Sequence, residues 1–537
     1  MAIEDVAKPT IPDNATMDLT DPFNLKFPPG FNAAAAFIDR HLREGRGEKL
    51  AIRSPEADVT YAELAANVNR AANGLTDLGL APGDRVLMVI KDCPAFFYAF
   101  WGAIKAGFIP VPLNTLLRAD TYDFIIDDSK ASAIIYSPEN KGEVGPALDA
   151  SPHKPRHILP TEGGGGSFDE LRMKSGALFE PVAAGAENDC FWLYSSGSTG
   201  RPKGVVHRHR DMVVTSEFNG VETLGICESD ICFSEAKLFF AYGLGNNLSF
   251  PLWVGATSVL NPGRPGPKES FPIIARYRPT VHFGVPTLYA TYVAHWPKEQ
   301  ADLSSVRFCV SGGEPLPAWI LRRWHEFTGL CILDGVGSTE NLHNHISNRL
   351  DDVKPGSSGK PIRGYSAKII DADGQEVIGA GTGRLFVSGG SHARRYWNNP
   401  EKTAATMVGE WLDTGDTYRR DEEGYYYYCG RNDDMMKVGG IWCSPFDIES
   451  KLIEHPAVLE SAVISRADDA GLMKPEAYIV LKDGFAGQPE LSEELMKLCK
   501  TRLAPYQYPR KVYFVAELPK TATGKVQRFR LRESATT

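Results

Sequence analysis

The chain has 537 residues, room for three or four folding units at ~150 residues each. Its 58 Lys and Arg against 67 Asp and Glu leave a formal charge of −9, and 43% hydrophobic with 23% charged residues is the mixture of a soluble globular protein. That balance argues against broad nucleic-acid binding, which needs concentrated positive charge, and the most apolar helix-length stretch, 94–107, is interrupted by Lys105 and too short to span a bilayer.

The opening MAIEDVAKPT lacks the basic-then-apolar pattern of a signal peptide, and nine cysteines without a CxxC pair suit a reducing compartment without a zinc cluster; the expectation is a cytoplasmic enzyme. Residues 1–27, rich in Pro, Asp and Thr, read as an irregular arm. Thr60-Tyr61-Ala62-Glu63 is a capping-box pattern opening a helix with Leu64, Val68, Ala71, Leu75 and Leu78 on one face. The apolar run 86–90 after Pro82-Gly83-Asp84 reads as a strand buried on both faces of a parallel sheet. A helix from Pro94, a strand near 109–113, another helix and a strand at 132–136 continue a βαβ alternation. The four glycines within 161–167 read as a surface loop. Helix–strand alternation resumes from Cys190 to Gly335, short strands and turns follow from Ser366, and a last α+β segment starts after Gly430.

The strongest chemical signal is Tyr194-Ser195-Ser196-Gly197-Ser198-Thr199-Gly200-Arg201-Pro202-Lys203-Gly204, following the apolar strand 190–193. Its glycines let backbone N–H groups approach a polyanion, its hydroxyls add donors and Lys203 adds a compact positive charge. The motif reads as a nucleotide-phosphate loop without the GK[ST] of a Walker sequence, since Gly204 follows Lys203. In order after it come Gly337-Ser338-Thr339-Glu340, Trp411-Leu412-Asp413-Thr414-Gly415-Asp416, Gly430-Arg431-Asn432-Asp433-Asp434 and Pro519-Lys520-Thr521-Ala522-Thr523-Gly524-Lys525.

These ordered motifs resemble the adenylate-forming superfamily of acyl-CoA synthetases, luciferases and adenylation domains. The flanking Lys237-Leu238-Phe239-Phe240-Ala241-Tyr242-Gly243-Leu244-Gly245, Gly284-Val285-Pro286-Thr287 and Tyr396-Trp397-Asn398-Asn399-Pro400 resemble its benzoate-CoA ligase branch. The resemblance implies an α/β fold: a large N-terminal domain (28–432) of layered βαβ subdomains with a small β-barrel-like part near 360–430, then a mobile α+β C-terminal domain (433–537) hinged near Asp433. It implies an AMP-forming aryl-CoA ligase using ATP, Mg²⁺ and coenzyme A, in which the acid first becomes an acyl-adenylate and the CoA thiolate then displaces AMP. The expected acid is a hydroxybenzoate or benzoate, and the chain is expected as a monomer or homodimer.

By that resemblance, Ser195, Ser196, Gly197, Ser198, Thr199, Gly200 and Lys203 meet phosphate, and Gly335, Val336, Gly337 and Ser338 line the adenine. Asp416 and Arg431 meet the ribose, Glu340 and Thr199 hold the metal, and Thr339, Glu340 and Lys525 are catalytic. Lys525, a mobile point charge, suits the charge spread over the carboxylate–α-phosphate transition state. Asp433 is the hinge, and Gly439 and Gly440 border the pantetheine tunnel. Phe240, Tyr242, Gly243, Asn246, His343 and Asn344 are expected to form the acyl pocket, its glycines leaving a flat slot for an aryl ring. Asn341, Asn344 and His345 stand where resembling benzoate ligases carry apolar residues, and Asn246-Asn247 follow Gly245. Unpaired amides facing a bare ring would cost roughly 1–3 kcal/mol each, which favours a polar ring substituent, with Asn344 as its contact.

Alternative acids are an aminobenzoate, a hydroxycinnamate or an alicyclic acid, and an alternative acceptor is a carrier protein. The short stretch after Lys525 argues against an attached carrier module. A nucleotide-binding protein on an inactive ligase fold would be expected to lack Glu340, Asp416 or Lys525, and all three are present.

Overall fold

The structure, a computed structural model, describes residues 17–196, 201–432, 434–438, 441–468, 472–504, 506–520 and 526–533. Gly197, Ser198, Thr199, Gly200, Asp433, Gly439, Gly440 and Lys525 lie outside the described residues, as does the arm before residue 17.

The helix Tyr61–Asp77 opens on the expected capping box: the Glu63 N–H donates to Thr60 Oγ1 (3.2 Å) and the Thr60 N–H donates to Glu63 Oε2 (2.8 Å). Its buried stripe of Leu64, Val68, Ala71 and Leu75 crosses the helix Pro94–Lys105 at Gly102, where a Cβ would lie 2.7 Å from Ala71 Cβ. These helices cover one face of a four-stranded parallel sheet ordered Ile109–Pro112, Arg85–Val89, Ala133–Tyr136, His157–Pro160. Val86 and Met88 enter the helix-side core while Leu87 and Val89 enter the core on the other face, which is why this strand reads as unbroken apolar sequence.

A second sheet has nine strands in the order Lys360–Pro361, Asn344–Ser347, Ile332–Gly337, Phe308–Ser311, Val281–Gly284, Ile231–Ser234, Thr257–Val259, Leu50–Arg53, Asp58–Thr60. Its middle is parallel, and it turns antiparallel at Asn344–Ser347 and at Asp58–Thr60. Ligand crevices in such sheets lie beyond the carboxyl ends of the parallel strands, here the ends at Ser234, Gly284, Ser311 and Gly337. Between the sheets stands an antiparallel hairpin, Asp189–Ser196 with Pro202–Arg208, joined on its outer side by Arg395–Tyr396.

After Ser366 come the expected short antiparallel strands: Tyr365–Ile370, Gly381–Gly389, Trp411–Arg420, Met407–Val408 and Tyr426–Arg431 form a five-stranded antiparallel sheet. Its apolar face (Ile369, Leu385, Val387, Leu412) packs against Ile346 of the nine-stranded sheet. The C-terminal domain is smaller, with Val458–Ala467, Met473–Leu481 and Lys511–Phe514 in one sheet and its own core around Ile448, Leu452, Val463, Ile479 and Leu495. No helix among the described residues is long and apolar enough to cross a membrane, and all nine cysteines are free thiols.

The crossing at Gly102 yields a prediction whose sign rests on two opposed effects. Ala in a helix interior gains about 1 kcal/mol over Gly. Forcing a methyl to 2.7 Å from Ala71 Cβ and 3.1 Å from the Ala72 nitrogen overpacks the crossing, which costs about 1–3 kcal/mol. Gly102→Ala is therefore expected to lower the urea midpoint, and a raised midpoint would show that the two helices can separate freely.

Candidate active site

The Ser/Gly-rich motif lies on the antiparallel hairpin, where Ser195 pairs with Lys203 and Ser196 with Pro202. The Ser195 hydroxyl is buried and has no hydrogen-bond partner among the described residues. Lys203 Nζ stands 4.4 Å from the centre of the Tyr396 ring and 3.9 Å from Glu340 Oε1. Burial pushes the Lys203 ammonium below its ordinary pKa, and the Glu340 carboxylate opposes that shift.

Glu340 sits in the loop that reverses the chain from Ile332–Gly337 into Asn344–Ser347. The Tyr396 hydroxyl donates to Glu340 Oε1 (2.7 Å), and the Ala393 N–H donates to the Glu340 carbonyl (2.7 Å). Burial first, and the neighbouring carboxylate second, raise the Tyr396 phenol far above its usual pKa, so it remains a donor. Thr339 is held from below: His207 Nε2 donates to its carbonyl (2.8 Å), and His207 Nδ1 lies 3.1 Å from Asp211 Oδ2. Ser338 Oγ accepts from the Asn341 N–H (3.1 Å), closing the turn. Tyr396, His207 and Asp211 were not among the residues expected at the site. Tyr396 had a sequence signal, the Tyr-Trp-Asn-Asn-Pro motif, but nothing in that motif indicates the residue it contacts.

Gly335, Val336 and Gly337 form the end of one strand, and Gly337 pairs with Asn344 across a bulge. Asp334, just before them, is buried, and burial pushes its carboxyl up to about 8, opposed by the Leu316 N–H that donates to Oδ2 (3.5 Å). Asp416 and Arg431, expected as two separate contacts, are cross-strand partners: Arg431 Nη1 donates to Asp416 Oδ1 (2.9 Å) and to the Thr414 carbonyl (3.2 Å). Gly415 (φ +72°) lies beneath the Arg431 guanidinium, 2.7 Å from where its Cβ would be.

Six residues were expected around an acyl slot, and the structure brings two of them, Tyr242 and Asn246, against a third, His343. The Tyr242 ring lies 5.2 Å from that of His343, centre to centre, and the Phe250 ring 4.6 Å. A Cβ on Gly245 would overlap His343 Cδ2, so the imidazole rests against bare backbone. Asn219 Nδ2 donates to His343 Nδ1 (2.7 Å), and His343 Nε2 donates to Asn246 Oδ1 (3.0 Å). Burial pushes this imidazole down to about 3, so the ring is neutral. Phe240 precedes the short helix Ala241–Leu244 and packs edge-on against Phe239, which is buried in the interior.

Two expectations about the slot are corrected. Gly243 lacks a side chain because a Cβ would collide with the Lys237 carbonyl, a backbone constraint and not a flat place for a ring. Three of the asparagines that made the slot look polar have protein partners: Asn246 pairs with His343, Asn247 Nδ2 donates to the Val259 carbonyl (2.7 Å) and Asn341 Nδ2 lies 3.4 Å from His345 Nδ1. Asn247 and Asn341 each keep a buried Oδ1 without a partner, and Asn344 differs in that its nitrogen, Nδ2, buried across Gly335, has none.

Two layered α/β sheets, a Ser/Gly-rich hairpin beside a Thr-Glu turn and a small α+β domain after them define an adenylate-forming enzyme. The chain belongs to the family of AMP-binding enzymes, whose profile matches residues 38–397 and whose C-terminal-domain profile matches residues 447–525. Within it the chain falls in the benzoate-CoA ligase-like branch. It is 48% identical to a benzoate–CoA ligase of Thauera aromatica over 95% of this chain and 97% of that one. It is 43% identical to a 4-hydroxybenzoate–CoA/benzoate–CoA ligase of Rhodopseudomonas palustris over 94% of each chain. Among solved structures it superposes on an anthranilate CoA ligase in complex with anthranoyl-AMP (TM-score 0.90, 41% identity, 95% of this chain and 98% of that one). It also superposes on a benzoate CoA ligase from Burkholderia xenovorans (TM-score 0.86, 42% identity, 94% and 100%).

Asp334 gives the site a measurable pH signature in the ligand-free protein. Its folded pKa of about 8 stands above an ordinary carboxyl value near 3.8, so the fold binds a proton that the unfolded chain releases. Its contribution is full below about pH 4 and is lost as pH rises through about 8, so stability falls over that window. Asp334→Asn, which keeps the shape and cannot ionise, is expected to flatten the decline of melting temperature between pH 5 and 9; an unchanged slope would exclude a proton held at Asp334.

Proposed function

We propose that the protein is an ATP- and Mg²⁺-dependent, AMP-forming aryl-CoA ligase acting on benzoate or a hydroxybenzoate. A carboxylate oxygen of the acid attacks the α-phosphorus of ATP and pyrophosphate leaves; the CoA thiolate then attacks the acyl carbon and AMP leaves. The observation that carries this reading is that a single loop bears both Glu340, beside Lys203 and Tyr396, and His343, wedged among Tyr242, Phe250 and Gly245. A polyanion end and an aryl end on one loop leave the reacting carboxylate between them, which serves proximity as much as binding.

In this reading the hairpin tip, with Ser195, Ser196 and Lys203, meets the phosphates, and residues 335–338 line the adenine. The Asp416–Arg431 pair meets the ribose. Glu340 would hold Mg²⁺: one hard carboxylate suits an ion that takes its other ligands from phosphate and water. No cluster of three His, Cys, Asp or Glu able to hold an ion occurs among the described residues, which is consistent with such a shared site. When bound, the ion neutralises charge on the phosphates. Lys525 would neutralise the adenylation transition state from the C-terminal domain (433–537). Asp433 would be the hinge of that domain, and Gly439 and Gly440 would admit the pantetheine arm. Asn344, with its unpartnered amide, would meet an acceptor on the ring.

Pyrophosphate release with ATP, Mg²⁺ and CoA, across benzoate, the three hydroxybenzoates, 2-aminobenzoate, 4-coumarate, cyclohexanecarboxylate and acetate, tests this. The expected result is fastest release with benzoate or a hydroxybenzoate, and a maximum with acetate would sink the reading. Asn344→Ile is expected to move the hydroxybenzoate-to-benzoate ratio of kcat/KM toward benzoate by about tenfold, the value of one hydrogen bond; an unmoved ratio removes Asn344 from recognition. Lys525→Arg is expected to slow adenylate formation at least ~100-fold while thioester formation from supplied acyl-adenylate continues, and equal losses in both steps would contradict the role given to Lys525.

A further inference from the structure

We propose that Asn219 and Asn246 are positioning residues that set which ring substituents the acyl slot tolerates, by clamping His343 through both of its ring nitrogens. The inference rests on the aryl-acid reading above and adds to it a residue, Asn219, that the sequence does not single out. His343 is buried and restrained on every side described. Asn219 Nδ2 donates to Nδ1 (2.7 Å) and Nε2 donates to Asn246 Oδ1 (3.0 Å). Phe250 and Tyr242 pack on the ring, and the Gly245 backbone fills the place where a side chain would stand.

The clamp comes from two separate wide turns. Asn219 lies on the π-helical segment Ser216–Val221 and Asn246 on the π-helical segment Gly245–Ser249. Such turns shift the side chains after them relative to an α-helix and recur at functional sites. Asn246 is itself braced, its Nδ2 donating to Ser234 Oγ (3.3 Å) at the carboxyl end of a sheet strand. The two amides fix one tautomer, with hydrogen on Nε2 and a lone pair on Nδ1. To rotate away from an incoming substituent the ring would have to abandon both bonds and leave a buried donor and a buried acceptor unsatisfied. A wall held this way rejects a bulkier ring, whereas an imidazole free to swing aside would admit it.

The test uses the 2-, 3- and 4-methylbenzoates against benzoate, since a methyl group reads wall position without invoking any polar contact. Initial rates of CoA-thioester formation are measured for the wild type, Asn219→Ala, Asn219→Leu, Asn246→Ala, His343→Ala and each asparagine variant combined with His343→Ala. Each asparagine variant is expected to raise the methylbenzoate-to-benzoate ratio of kcat/KM about tenfold for at least one ring position, chiefly through KM. Neither is expected to add to the shift that His343→Ala causes alone. Unmoved ratios in folded variants, or an asparagine effect that adds in full on top of His343→Ala, would overturn the clamp. Asn219→Leu fills the volume of the amide and guards against a cavity that unfolds Asn219→Ala. ¹⁵N chemical shifts of the wild-type histidines give a reading that needs no variant: His343 protonated on Nε2 supports the clamp, and protonation on Nδ1 refutes it. Wild-type silence on every aryl acid would instead defeat the aryl-acid reading beneath it.

Discussion

The site depends on how closely the chain folds back on itself between Gly337 and Asn344. A Cβ on Gly337 would lie 2.5 Å from the His343 carbonyl oxygen, and one on Gly335 would overlap the Asn344 amide. Only glycine allows that approach, and only that approach converts the last parallel strand into an antiparallel partner seven residues later. The reversal also places Leu342 at φ +67°, a conformation that costs a residue with a Cβ about 1–2 kcal/mol. The buried Leu342 side chain and the Leu342 N–H donating to the Thr339 carbonyl (3.1 Å) offset the strain. Thr339, Glu340 and His343 are thus presented by one loop whose shape is fixed by its backbone.

The loop is then held from two directions by elements remote in sequence. Arg395–Tyr396 joins the Ser/Gly-rich hairpin as a third strand, with Tyr396 opposite Val205, and this pairing brings the Tyr396 hydroxyl to Glu340 and its ring to Lys203. His207, on the same hairpin, reaches the Thr339 carbonyl from the opposite side. Movement of the hairpin would therefore be felt at both residues of the Thr-Glu pair. The cation above the Tyr396 face and the carboxylate at its hydroxyl also polarise the ring in one direction, so the three groups reinforce one another.

Much of this was legible in the sequence because its physics is local. The capping box at Thr60, the doubly buried strand at 86–90 and the motif order each follow from neighbours a few residues apart. The five-stranded sheet was legible as short antiparallel strands, but not the element that covers it, around Ile346, which lies elsewhere in the chain. The asparagines show the same limit at the site. Residue type alone made Asn246, Asn247, Asn341 and Asn344 look like contacts for a polar substrate. Which atoms of an amide are satisfied depends on partners 97 residues away for Asn246 and four away for Asn341; Asn344 keeps an unpartnered nitrogen, while Asn247 and Asn341 keep an unpartnered oxygen. Asn219, 124 residues before the histidine it meets, carries no local signal at all.

Buried charge is placed by the same logic. Ion pairs with both partners exposed, such as Arg278–Asp302 and Arg323–Glu326, contribute ~0–1 kcal/mol each. The buried ones stand where one element must keep its place on another. Lys105 pairs with Asp39 (2.6 Å) beneath the first helices. In the C-terminal domain Arg528 donates through Nη2 to both oxygens of the buried Glu449 (2.8 Å each), and Glu449 also accepts from the Val463 N–H (2.6 Å). Apolar residues of equal volume could match these pairs in net stability, but removing one partner leaves a desolvated charge at a cost of about 3–5 kcal/mol. The pairs therefore act as registers more than as glue. Each penalises displacement of one particular contact, and the Arg528–Glu449 register anchors the helix Arg528–Glu533, which follows the lysine motif, to the helix Pro445–Leu452. In the proposed reading the lysine charge arrives with a turn of the C-terminal domain, and the buried Arg528–Glu449 pair fixes the helix that follows it within that domain.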